Sequence, residues 1–506
     1  MQQHRYTIPL IYLTTFLFLL GETLQPAPRI QIYEDILCDA HYRTHGAPLH
    51  SHMVTTSTDT HAHAHDAHDC KIPAIQHQLS LLLGVERFSI LIPSLLALPF
   101  AALADRYGHQ LVLVLALGGV LLEDAYALVI CRFPAVFPLR LIWAHFVFNL
   151  IGGGFTMVVT LLHVVAAREV EAERRTGVFL RIRAAGVGAS VLGYVGAGVG
   201  MRVSGGAWVP WGIGLVCLGG AVGVAIVVLL SRGGGKSVTD DDEDEDDVNV
   251  NTNANANANN AERPQQRQQQ QQQQQGGQKW QSLIRNPHIL RILILVFLTQ
   301  LGFDAMPLIM AVYVSKRFGW SFSNASFLNA LDMAMELTTL LVILPLLLGA
   351  WTRSRESRGG ALSEFTKAKR ISQLSIGALA AGSLCLGFAP VIGVAVFGIL
   401  LLALGTGQDS TLRSMSTDLV PPSSISLVYS AITMLRAIGG SVSGPLYAAL
   451  YNVGLARGGD AWLGLPFLVA GALFVAALGV AVGIGGGGDG DGEEGEGEEE
   501  ALLARQ

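Results

Sequence analysis

Ionisable side chains inside otherwise apolar stretches are the residues of this chain that could do chemistry. A charge in a hydrophobic interior is costly and is kept beside a partner or a water-filled space. Asp304, Asp332, Glu336 and Arg436 interrupt apolar runs in the second half of the sequence, and Arg140, His145 and the pair Glu123-Asp124 do so in the first. A carboxyl group so placed can take up and release a proton, and Arg436 can hold a carboxylate ionised or engage an anionic solute. Glu336 falls one helical turn after Asp332, on the same face. The plainer reading of each is a fixed packing pair. Asn149 and Gln300 are further polar candidates, and Asp409 and Arg413 stand one turn apart as a local pair or part of a gate. Trp143 and Tyr194 read as packing groups. Neither an HExxH motif nor a GxxxxGK[ST] phosphate loop occurs, so no bond-making chemistry, cofactor or nucleotide is expected.

Three other features carry chemical potential. The string Ala104-Asp105-Arg106-Tyr107-Gly108 sets an acid and a base just after an apolar run, where they can form a charge-assisted latch or an ordinary charged turn. Gly108 permits the tight turn. Nine of the 14 histidines lie between 24 and 82, including the tract His61, His63, His65 and His68. Interspersed imidazoles can hold a transition metal or simply titrate near neutrality. In the same interval Cys38 and Cys70 could pair as a disulfide or remain two thiols. The other three cysteines sit in or at the end of apolar runs.

The surrounding sequence is built for a membrane. Of 506 residues, 51% are hydrophobic and 14% charged, with mean hydropathy +0.44, against roughly 25% charged in soluble domains. The acids concentrate at 240–247 and 489–500, which leaves no nucleic-acid surface. Runs near the ~20 residues of a spanning helix occur at about 7–23, 83–104, 110–131, 139–165, 177–200 and 208–230, then 289–314, 326–349, 371–388, 390–411, 423–450 and 462–485. The expected fold is therefore all-α and integral to a membrane: residues 1–230 form six helices with a long exoplasmic loop at 24–82, and residues 289–485 form six more. Between them 231–288, with its acidic block, Asn/Ala repeat and Gln run, reads as a disordered cytosolic tether, and 486–506 as a disordered acidic tail. Lys and Arg fall in the short loops at 105–110, 168–175 and 351–370, which predicts a cytosolic N-terminus and, with an even number of spans, a cytosolic C-terminus. Asn324-Ala325-Ser326 then forms a glycosylation sequon in an exoplasmic loop.

Asp105, Arg106 and Gly108 match the GxxxDRxGRR loop motif of the major facilitator superfamily, with Ala101 at the leading glycine and His109-Gln110 in place of the paired basic residues. The chain resembles that superfamily over about 1–230 and 289–485, and its fungal members with a long first loop through LADRYG at 103–108, RLIW at 140–143, a GGG run at 152–154 and ERR at 173–175. The antiporter signature of the fifth span is incomplete: the glycines at 186, 188, 193, 196 and 198 are present without its proline. The resemblance implies two pseudo-symmetric six-helix bundles, with one central cavity lined mainly by spans one, four, seven and ten. Arg140, His145, Asp304 and Asp409 inherit a site expectation from it, while Glu123 and Asp124 fall on a peripheral span and read as structural. It further implies a secondary transporter that moves a small organic solute by alternating access as a monomer in the bilayer, with proton-coupled export as the finer expectation. A metal-ion or metal-chelate transporter and a non-transporting receptor or scaffold stand as alternatives. The plasma membrane is the expected location, with vacuolar or other endomembranes open.

Overall fold

The structure, a computed structural model, describes residues 4–45, 69–170, 172–233, 285–304, 306–346, 364–420 and 425–484. The tether between 234 and 284, the tail from 485 and the tract holding His61, His63, His65 and His68 lie outside the described residues. Within them the apolar runs are helical and no strand occurs. In the N-terminal half α1 (His4–Leu24) and α2 (Pro26–His45) form the first span; α3 (Pro73–Ser89), α4 (Leu91–Leu95) and α5 (Ala97–Tyr107) the second; and α6 (His109–Arg132) the third. The fourth joins a 3-10 turn, Leu139–Ala144, to α7 (Phe146–Asn149) and α8 (Gly154–Glu169), followed by α9 (Ala172–Ser204) and α10 (Trp208–Gly233). The C-terminal half repeats the plan. Its seventh span is α11 (Pro287–Phe303) with α12 (Met306–Phe318), and its eighth is α13 (Phe322–Thr338), continued by a π turn. Next come α14 (Glu364–Phe388), the tenth span from α15 (Ile392–Ala403) and α16 (Gln408–Asp418), and finally α17 (Ile425–Arg457) and α18 (Leu465–Val482).

Eleven of these segments are long and apolar enough to cross a membrane. The remaining one, α17, has 33 residues and is made less apolar by Thr433, Arg436, Ser441, Ser443 and Asn452. The interval 24–82 is a correction to the sequence reading, because it is not all loop. Pro26–His45 is helical and extends the first span, and the second begins at Pro73, ten residues before the apolar run at 83. Hydropathy stops short at Arg29, Glu34 and Asp35, yet Glu34 is only 5% exposed.

The spans break where sequence demands it. Pro93 and Pro99 punctuate α3 to α5, since proline removes a helix donor. Gly153 and Gly154 take φ of 87° and 67°, values that disfavour any side chain. At Gly152 even a methyl group would collide with the backbone of Ala116 on α6. The GGG run thus interrupts the fourth span at its contact with the third, where buried non-helical backbone is tolerated.

Packing is polarised between the two ends of the bundle. Near Asp105 the N-terminal half closes its own core from Ile11, Phe18, Val112, Leu117, Met157 and Val165. At the other end, beside Cys38 and Cys70, one continuous core joins Tyr33, Leu79, Ile130 and Trp211 to Tyr313, Tyr447 and Phe467 of the C-terminal half. There α3 meets α17 with Gly84 and Gly444 face to face, and Ser80 Oγ donates to Asn452 Oδ1 at 2.7 Å. On the opposite flank α9 meets α13, where Ser323 and Ser326 donate to the carbonyls of Gly198 and Tyr194, each at 2.7 Å. Small residues bring these helices close enough for backbone carbonyls to serve as acceptors.

Candidate functional site

A polar network lies inside the N-terminal half, off the Asp105 end. Helix α6 spans 24 residues, about 36 Å, and carries Glu123 and Asp124 about 13 Å from its far end. Asp124 accepts from Gln25 Nε2 at 2.9 Å and pairs with Arg29 Nη1 at 3.3 Å. Arg29 also pairs with Glu86 of α3 and lies against the rings of Tyr33 and Trp211, 5.9 and 6.0 Å from their centroids. Glu123 accepts from Asn149 Nδ2 and meets His145 Nδ1, while His145 Nε2 is 3.3 Å from Ser89 Oγ. Glu22 closes the group from α1, within electrostatic range of Glu123, Asp124 and Arg29. A helix break at Gln25 lets α1 and α2 contribute from both sides, and the break at Gly152–Gly154 leaves His145 and Asn149 on the short elements facing α6.

The structure thus places His145 with Glu123, and Glu123-Asp124 at the heart of the network rather than in plain packing. Arg140 is exposed in the 3-10 turn. Arg29, Glu86 and Arg87 were missed. Glu86-Arg87 interrupts the apolar run at 83–104 in the same way that Asp304 interrupts its own, so the signal was present. Arg29 was hidden in the interval assigned to a loop.

Arg87 reaches across to the other half. Its Nε donates to Asp304 Oδ2 at 2.8 Å and its Nη2 to the same oxygen, while Gln300 Nε2 donates to Oδ1 at 2.9 Å. Asp304 sits at the junction of α11 and α12 and closely approaches Gly440 of α17. On α13, Glu336 accepts from Arg183 of α9 at 2.8 Å. Asp332, one turn away and half-buried, has neither a hydrogen bond nor an ion pair among the described residues. Tyr194 of α9 lies within electrostatic range of Asp332, Glu22 and Arg87. Arg436 is half-buried on α17. Arg413 lies 5.9 Å from the Tyr429 ring centroid, and the side chain of Asp409 lies outside the described ones.

At the joined end, Cys38 and Cys70 are bonded. The next residue, Lys71, forms a clasp. Its Nζ donates to both oxygens of Glu34 at 2.8 and 2.6 Å and to Ser315 Oγ of α12 at 2.6 Å, and it lies 4.4 Å from the Phe322 ring centroid. Lys316 donates to the Lys71 carbonyl. Burial holds the Lys71 ammonium below the usual lysine range, and the Glu34 carboxylate pulls the other way. Close by, Asn324 of the sequon occupies the first turn of α13 rather than a loop and accepts from Arg202, and Ser326 is fully buried. At the opposite end Asp105 is exposed, 3.2 Å from His109 Nε2 and 3.7 Å from Arg168 Nη2, so its neighbours are not Arg106, which lies 5.4 Å from the Tyr107 ring centroid. Gly108 turns with φ of 101°. Among the described residues no cluster of metal-ligating side chains occurs.

Two helical bundles of membrane-length apolar helices, joined at one end and holding charge pairs within and between them, define a polytopic membrane protein. Sequence comparison agrees: the chain matches the Major Facilitator Superfamily over residues 72–445. It belongs to that superfamily. It is 28% identical to the MFS efflux pump atnC of Emericella nidulans over 91% of this chain and 84% of that one, and 30% identical to the efflux pump ustT of Aspergillus flavus over 90% and 83%. The crystal structure of a D-xylose-proton symporter shares the fold, with a TM-score of 0.60 at 12% identity over 94% of this chain and 97% of that one. A bacterial homologue of the lysosomal transporter Spinster superposes with a TM-score of 0.54 at 13% identity over 95% and 96%. The protein is a secondary transporter that acts within a lipid bilayer on small solutes.

Proposed function

We propose that this protein exports a small organic solute in exchange for protons. The observation that carries the reading is a pair of carboxyl groups on membrane-spanning helices, Glu22 on α1 and Asp332 on α13, neither with a hydrogen bond or ion pair among the described residues and both within electrostatic range of Tyr194. An unpaired carboxylate at that depth is costly when ionised, and protonation removes the cost. Each group can therefore carry a proton whose loss or gain changes the relative stability of the two arrangements of the halves. The Arg87–Asp304 and Arg183–Glu336 pairs span the halves and would have to break or slide as the halves rock.

Export follows from the efflux pumps to which the chain is similar. The disulfide supports an exoplasmic assignment for the joined end, because such bonds persist in oxidising compartments, and Arg106 and Arg168 support a cytosolic one for the Asp105 end. On that assignment both termini are cytosolic, the described arrangement is the cytosol-facing one, and Asp105, Arg106 and Gly108 belong to the gate that closes it. We place the transporter in the plasma membrane, working as a monomer.

Flux in proteoliposomes tests the reading. With an imposed pH gradient and internal pH recorded, solute movement should carry protons in the opposite direction, and Asp332→Asn and Glu22→Gln should each uncouple the two. Solute flux that persists unchanged when the gradient is collapsed would sink proton exchange.

A further inference from the structure

We propose that the acid network of the N-terminal half binds a protonated amine, so that the solute is a basic organic molecule. This rests on the export reading above and names its substrate class. Four carboxyl groups, Glu22, Glu86, Glu123 and Asp124, face one guanidinium, Arg29, and one imidazole, His145. Even with His145 charged, full ionisation leaves two negative charges in surplus, and such a surplus inside a membrane calls for protons or a cation.

The hydrogen bonding points the same way without reference to charge. Gln25 and Asn149 are 2% and 5% exposed. Each pins its amide N–H to an acid of the network, Gln25 to Asp124 and Asn149 to Glu123. Those bonds fix which way each amide faces, and the oxygens, Gln25 Oε1 and Asn149 Oδ1, then have no donor. Glu22 Oε1 and Glu86 Oε2 are buried without a donor as well. Among the described residues, four oxygens around one network therefore lack donors, against a single unmatched donor at its border, the indole N–H of Trp211. A buried acceptor left without a donor costs free energy, and a primary or secondary ammonium supplies both the charge and two or three N–H groups.

The surroundings favour an organic cation over a bare metal ion. The Trp211 and Tyr33 rings already face the Arg29 guanidinium, and Trp208 stacks on Trp211 with centroids 6.1 Å apart. Aromatic faces attract ammonium groups in the same way. Glu86 and Glu123 each keep 14% side-chain exposure, so the network has an edge that a solute can reach.

The test uses the full chain in lipid nanodiscs and three probes of one shape: naphthylmethylamine, naphthylmethanol and naphthoate. Calorimetry in weak buffer with a pH dye should show the amine binding at least about tenfold more tightly than the alcohol, as one added charge interaction of ~1.4 kcal/mol predicts, with proton release and no detectable naphthoate binding. Glu123→Gln and Asp124→Asn should each weaken the amine about tenfold and leave the alcohol unchanged. Equal affinity for amine and alcohol, binding of the carboxylate instead, or sodium ions that bind alone and displace the amine would each overturn the proposal. The wild-type comparison stands even if a variant fails to fold. Gradient-driven flux of neutral solutes with no amine binding would defeat this inference and leave proton exchange intact, whereas amine binding with flux indifferent to pH would do the reverse.

Discussion

Lys71 is the side chain through which the two halves can be set apart experimentally. Its ammonium group joins the N-terminal half to Ser315 and stands over Phe322 of the C-terminal half, while its side chain is 15% exposed and its partner Glu34 is 7% exposed. A hydrogen bond to a charged group is worth about 1.5–3 kcal/mol, and a cation over an aromatic face adds about 0.5–1 kcal/mol. Lys71→Met removes both while keeping the length of the chain, so the joined arrangement should lose about 2–4 kcal/mol relative to the separated one. At 1.4 kcal/mol per decade that is a shift of roughly 30-fold to several hundred-fold. Ser315→Ala, which removes only the hydrogen bond, should give a smaller shift, roughly 10- to 100-fold. Val203 and Val391 are 83% and 58% exposed at this end, one in each half. Spin labels at these positions, with Cys131, Cys217 and Cys385 replaced, report the separation in nanodiscs. The parent should show one short distance, Lys71→Met a dominant longer one, and Ser315→Ala a mixture. If Lys71→Met leaves the parent distribution unchanged, the clasp does not hold the halves together.

At Gly84, a methyl group would lie 2.7 Å from Ala448 Cβ and 3.0 Å from the Gly444 carbonyl. Gly84→Val should therefore drive α3 and α17 apart at a cost of about 1–3 kcal/mol, with Gly84→Ala milder, and an unchanged distance would refute the close packing. Arg87 and Asp304 are 31% and 21% exposed, so solvent screens their pairing to about 1 kcal/mol. A double-mutant cycle of Arg87→Gln and Asp304→Asn on thermal unfolding should show that coupling, and strict additivity would deny it. Finally, Asn324→Gln should leave gel mobility unchanged, because Ser326 is buried and the sequon begins a packed helix; a mobility shift would show that a glycan is attached there.

Much of the architecture is readable from hydropathy, and the reasons for the misses are physical. Twelve apolar runs mark the spans because a helix facing lipid must be apolar over its length. The criterion fails where polar residues are buried in pairs: Glu34 and Lys71 look like loop residues until each is seen to solvate the other, and Arg29 is excluded from a span by the charge that Glu86 and Asp124 neutralise. Glu123 and Asp124 were legible as intramembrane acids, but family position assigned them to packing, and only the Gly152–Gly154 break, which turns His145 and Asn149 toward α6, puts them in a network. Asp304 was legible as an acid inside a span, while its partner was not. Arg87 lies 217 residues away in sequence, and no local pattern reports a contact between halves. The sequon is a local pattern only: Asn-X-Ser says nothing about whether its serine is packed, and in the fold Ser326 donates to the Tyr194 carbonyl.

The order of Glu86 and Arg87 along α3 suggests how binding could reach the interface. These neighbours point to different halves: Glu86 pairs with Arg29 inside the N-terminal half, and Arg87 pairs with Asp304 across to the C-terminal half. A solute shifts the balance between arrangements only by the difference in its affinity for them, so the site needs a contact that changes as the halves move. A cation that competes with Arg29 for Glu86 acts one peptide unit from the Arg87–Asp304 bond. Any turn of α3 that improves its contact with Glu86 moves the Arg87 guanidinium relative to Asp304. The helix end is suited to such a turn, because α3 stops at Ser89 and the chain restarts at Leu91 ahead of Pro93. On this reasoning the solute and the interface compete for the orientation of one short stretch of helix. Weakening Arg87–Asp304 should then tighten solute binding, since less is lost when the stretch turns. Arg87→Gln measured against naphthylmethylamine should accordingly lower the Kd. A raised Kd would place Arg87 among the groups that support the bound amine, and would break the proposed link between the two pairs.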